Sequence, residues 1–78
     1  MNTASLRTER LSYTEHLVRS FVRNAYMMYS ADDIAKHRER AIDSGDLIKA
    51  RFMSEMIAEC RAENVSRFCD LPAFSTTN

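Results

Sequence analysis

The chain has one glycine, Gly45, and one proline, Pro72, in 78 residues. These are the residues that interrupt regular backbone most reliably. No Asn-Gly, Asp-Gly or Gly-Gly pair is present to turn a β-hairpin. A chain with so little punctuation is restricted to a few long elements, and its apolar residues recur at the steps of three and four that mark helices. The fold expected is all-α: one small domain over residues 1–78, a three-helix hairpin or bundle with loose N- and C-terminal tails.

The capping chemistry sets the expected boundaries. A first helix is expected over 13–29. Ser12 and Glu15 stand at the spacing of a capping box, in which hydroxyl and carboxylate each satisfy a free backbone N–H. Its inward stripe reads Leu17, Val18, Phe21, Val22, Ala25, Met28 and Tyr29, leaving Arg19, Ser20, Arg23, Asn24 and Met27 outside. A second helix is expected over 31–43. Ser30 is its N-cap, Tyr29 and Ile34 stand at the spacing of a hydrophobic staple, and Asp32 is four residues before Lys36. Its apolar side is thin: Ile34, Ala35, Ala41 and Ile42. Gly45 is placed to end it in the left-handed conformation.

A third helix is expected over 47–67, capped by Asp46. Ile48, Phe52, Met53, Met56, Ile57 and Cys60 form its wide apolar side. Beyond Cys60 the stripe drifts, with Val65 and Phe68 off the earlier line, and Leu71-Pro72 stops the helix because a residue before proline avoids helical backbone. The first and third helices should supply most of the core, including Phe21, Met28, Phe52, Met56 and Ile57.

Composition then limits function. The formal net charge is zero, so no global field draws the protein to nucleic acid or anionic lipid. The longest strictly apolar run is the five residues 25–29, too short to span a membrane. With no apolar leader at its start and only two cysteines, Cys60 and Cys69, the chain reads as cytoplasmic with reduced thiols. No zinc spacing, P-loop, GxGxxG or HExxH occurs. His16 and His37 lie apart, His37 within the charged run KHRER on what reads as a solvated face, and Glu55 and Glu59 read as surface charges. No cofactor or metal is expected, and no enzyme; nucleophilic chemistry would require an activated thiol at Cys60 or Cys69.

A domain this small has a thin core and commonly gains support from another subunit. The function expected is therefore non-enzymatic: a small bacterial or phage-type regulator or adaptor that binds another protein, itself, or both through a helical apolar face. The contact residues expected are Tyr26, Met27, Val65, Phe68 and Phe74, with Arg19 and Arg23 as a charged rim. The alternative is a nucleic-acid-associated factor. The second helix, the glycine turn and the third helix have the outline of a helix-turn-helix, in which Lys49 and Arg51 would reach phosphates or base edges. Asp46, Glu55, Glu59 and Glu63 would repel the backbone.

Two segments have parallels among known families. MYSADD with KHRERA is similar to stretches of the short helical modulators of the bacterial nucleoid protein H-NS. FMSEMIA with its leucine–proline ending is similar to the theta subunit of bacterial DNA polymerase III. Each covers under a third of the chain, so no family is assigned and no residue role is carried over. Their common theme is a small helical accessory bound to a larger complex.

Overall fold

The computed structural model describes residues 11–74, which form three α-helices and two short 3-10 turns. The tails expected at either end lie largely outside the described residues. Helix α1 spans Tyr13–Ala25, α2 spans Ala31–Asp43 and α3 spans Leu47–Ala62. The 3-10 turns are Phe68–Asp70 and Pro72–Phe74.

Each helix begins at its expected cap. Ser12 Oγ accepts from the Glu15 amide at 3.0 Å, and Glu15 Oε1 accepts from the Ser12 amide at 2.9 Å, closing the capping box. Ser30 Oγ accepts from the Asp33 amide at 3.1 Å, and Asp46 Oδ1 from the Lys49 amide at 3.3 Å. The Asp32–Lys36 pair does not form as expected; Lys36 reaches Asp33 instead, at 3.9 Å.

The helix ends are less simple. Helix α2 closes as expected: Gly45 takes φ +83°, its amide donates to the Ile42 carbonyl, and the Asp46 amide donates to the Ala41 carbonyl. That pair of bonds is the Schellman cap, which needs a left-handed residue. Helix α3 ends by the same device, at Ala62 and not near residue 67. Asn64 takes φ +57°, its amide donates to Arg61, and the Val65 amide donates to Cys60. Asparagine tolerates this conformation better than most side chains. Leu71 is extended ahead of Pro72, as a residue before proline prefers, but it lies well beyond the helix.

Helix α1 also stops short, at Ala25 and not Tyr29. A tertiary contact overrides the local periodicity there. The segment after α3 folds back across the α1–α2 connection. The Cys69 amide donates to the Met27 carbonyl at 3.0 Å, the Ala31 amide donates to the Ser66 carbonyl at 2.8 Å, and Ser30 and Arg67 form an isolated antiparallel bridge. Only a helix running on through Ala31 would send the Ala31 amide to the Met27 carbonyl; here both groups bond to the returning segment, and Ser30 keeps the extended backbone that caps α2.

Helix α3 is the central element. Ala50, Phe52, Met53, Met56, Ile57 and Cys60 are all buried, between α2 on one side and α1 on the other. Ala31, Ile34 and Ala41 of α2, Val22 of α1, and Phe68 and Leu71 of the returning segment complete the core. Each large aliphatic or aromatic side chain buried here contributes about 1.5–3 kcal/mol by leaving water.

Candidate interaction surface

Helix α1 is rotated from its expected orientation. Of the expected inward stripe only Val22 is buried, and Val18 is half-buried; Leu17, Phe21, Ala25, Met28 and Tyr29 are exposed. Three ion pairs to α3 accompany this orientation. Arg19 Nε donates to Glu55 Oε1 at 3.1 Å. Arg23 grips Glu59 with both guanidinium nitrogens, at 3.1 and 3.3 Å. Arg51 Nη1 lies 3.6 Å from Glu15 Oε2. These three pairs share one sequence offset (51−15, 55−19 and 59−23), so α1 runs parallel to α3 in fixed register. An antiparallel alignment about the same centre would oppose Glu15 to Glu59 and Arg23 to Arg51. Like charges therefore disfavour it, and the ladder specifies orientation more than it supplies stability.

Glu15, Arg19 and Arg23 are every charged residue of α1, and all three face α3. The opposite face of the helix is left without charge and rich in apolar groups. Tyr13 is 77% exposed, Leu17 53% and Phe21 61%, and Met28, just beyond the helix, is 65% exposed. His16, Ser20 and Asn24 flank this stripe. Amphipathic helices ordinarily turn charge to water and apolar residues to the core; on α1 that order is partly inverted. A second, smaller group of exposed apolar residues, Ile42, Leu47 and Ile48, stands around the α2–α3 turn.

The contact residues expected from the sequence have other places. Phe68 is fully buried beneath Arg23, whose guanidinium lies 4.7 Å from the ring centroid, and the Phe74 ring is 5.3 Å from it. Phe68 is therefore core, and Arg19 and Arg23, each partly exposed, are paired with Glu55 and Glu59. Tyr26, Met27 and Val65 are half-buried against the core. The Met27 carbonyl accepts from the Cys69 amide of the returning segment, a long-range contact that local spacing does not reveal. Phe74 remains 44% exposed. His37 is not on a solvated face: its ring lies 5.0 Å from Tyr26 and 5.3 Å from Tyr29, and the tyrosine rings are 5.0 Å apart.

The residues of the nucleic-acid alternative are similarly constrained. Arg51 is held by Glu15, and its guanidinium lies 5.3 Å from the Phe52 ring centroid. Lys49 is half-buried and Ala50 buried, and α3 is flanked by both other helices, which does not suit a recognition helix.

The titratable groups of the described residues have the following surroundings. Burial raises the pKa of the Cys60 thiol, with the Glu59 and Asp70 carboxylates adding to the effect, the reverse of thiolate activation. The hydrogen bond from the Ser12 amide, reinforced by the Ser12 hydroxyl and Arg51, holds the Glu15 carboxyl below its usual range. Among the described residues no three His, Cys, Asp or Glu side chains converge as metal ligands. A shallow cleft of about 250 Å³ beside Glu59, Ala62, Leu71 and Pro72 is smaller than a typical ligand site. No described helix is long and apolar enough to cross a membrane. Comparison with models of known families, with curated proteins and with solved structures finds no match.

Proposed function

We propose that this chain is a non-enzymatic protein-binding module, a small regulator or adaptor, that docks through the outer face of α1. One observation supports this reading above the rest. All the charge of α1 is spent on α3, and Tyr13, Leu17 and Phe21 are left in water on a face without charge. Contiguous exposed apolar surface beyond a few hundred Å² marks interaction sites in small proteins, and the centres of interfaces are depleted in charge and enriched in aromatic residues and methionine. Two free cysteines fit a reducing compartment such as the cytoplasm.

The test is affinity capture from the cells that express the protein, with wild type and a Leu17→Asp/Phe21→Asp variant as parallel baits. Circular dichroism establishes first that both are folded. The reading predicts at least one protein, of any identity, that wild type retains and the variant releases. Identical protein sets on both baits would refute it.

A further inference from the structure

Resting on the reading that the outer face of α1 is an interface, we infer that its occupant is a second copy of the chain. The two α1 helices would pack antiparallel about a twofold axis between Leu17 and Phe21. Three observations lead to this occupant.

The first is electrostatic. A homodimer sets a surface against itself, so any charge near the axis meets its own like. The outer face of α1 avoids that penalty because Glu15, Arg19 and Arg23 are all turned to α3. A partner that recognised this face by opposite charge would find none to pair with.

The second is shape. With the axis between Leu17 and Phe21, Leu17 meets the partner's Phe21, and Tyr13, the most exposed of the described large apolar side chains, meets the partner's Ala25, which is exposed and small. Large opposes small at each end. A parallel pair would stack Tyr13 and Phe21 each on its own copy and would bring like ends of the helix dipoles together.

The third is area. Aromatic side chains bury about 150–250 Å² each. At 77% and 61% exposure, Tyr13 and Phe21 together offer roughly 200–350 Å² on that scale. Leu17, Ala25 and the uncharged flanks bring the face to on the order of 500 Å² per copy, or about 1,000 Å² in a dimer, the lower bound for a specific interface.

Sedimentation equilibrium of the full chain tests this, from about 1 to about 500 µM, the range suited to a micromolar interface. Wild type is expected to pass from monomer to dimer within that range. Phe21→Asp, and separately Leu17→Asp, place an unpaired carboxylate at the axis and should weaken dimerisation about a hundredfold or more. Ile42→Asp, in the other exposed apolar group, should leave it unchanged. Spin labels at Ser20→Cys, near the axis, should lie closer together across the dimer than labels at Asn24→Cys, both in a Cys69→Ser background; a parallel pair would show no such difference. Wild type that stays monomeric throughout, or a dimer broken by Ile42→Asp and not by Phe21→Asp, would overturn the inference. Wild type that is monomeric while the aspartate variant still releases a different captured protein would overturn the dimer alone and leave the broader reading in place.

Discussion

Replacing Arg23 with alanine removes two interactions and uncovers a third group. The guanidinium is bidentate to Glu59 and lies over Phe68, whose side chain is fully buried beneath it. Glu59 is 40% exposed, so the ion pair is screened and is taken at about 0.5–1 kcal/mol. The cation–π contact adds about 0.5–1 kcal/mol. Opening part of the Phe68 ring, some 20–40 Å², costs about 0.5–1 kcal/mol more at 25 cal/mol per Å². The expected loss is therefore about 2 kcal/mol, which for a domain of this size lowers Tm by roughly 8–16 °C. Glu59→Gln removes only the ion pair and should cost at most about 1 kcal/mol. Arg23→Lys keeps the charge but loses the planar fork, so it should fall between the two. Urea unfolding of the three variants gives the order directly. The reasoning fails if Arg23→Ala lies within about 0.5 kcal/mol of wild type, the range of an ordinary surface substitution. It also fails if Glu59→Gln costs as much as Arg23→Ala, since the cover over Phe68 would then contribute nothing.

Asn64 caps α3 at φ +57°. Asn64→Gly should therefore be neutral or stabilising by up to about 1 kcal/mol, and Asn64→Val destabilising by about 1–2 kcal/mol, read from urea midpoints. Equal midpoints for the two would contradict the cap. Glu15 has a lowered pKa in the folded state, so its contribution is present above the unfolded pKa and is lost as pH falls through the folded one. The stability difference between wild type and Glu15→Gln should accordingly be seen at neutral pH and vanish in acid; a difference that grows in acid would reverse the sign and refute the assignment. Cys60 is buried with a raised pKa and Cys69 is only half-buried. A thiol reagent at mildly alkaline pH should therefore modify Cys69 first and reach Cys60 only at the rate of unfolding. Equal rates in the folded protein would contradict the burial.

The local signals were legible in the sequence. Ser12 with Glu15, Ser30, Gly45 and Asp46 each announce a helix end by chemistry confined to four residues, and the structure places all of them as read. The wide apolar side of α3 was legible in Phe52, Met53, Met56, Ile57 and Cys60, which are buried, while Ile48, read as part of it, is exposed. Helix α1 was not, because it carries two adjacent apolar stripes, Leu17–Phe21 and Val18–Val22, and periodicity cannot say which is buried. The deciding information is in another helix. Arg19 and Arg23 are four apart, as are Glu55 and Glu59, and matching those two spacings would have turned the arginines toward α3. Asn64 was a missed C-cap signal of the same local kind. The return of residues 66–69 across 27–31 has no local signature, and it accounts for both the early end of α1 and the burial of Phe68.

The rotation of α1 on α3 is the claim on which the surface, the proposed function and the dimer all rest. It is tested most directly by the unfolding free energy of Phe21→Asp beside Val22→Asp. Both are measured at about 1 µM protein, where association adds little to apparent stability. The account predicts that Phe21→Asp stays within about 0.5 kcal/mol of wild type, as an exposed site should, while Val22→Asp, with a carboxylate forced into the core, loses several kcal/mol or does not fold. A loss of about 3 kcal/mol or more at Phe21, with Val22→Asp tolerated, would place the opposite face of the helix inside and contradict it.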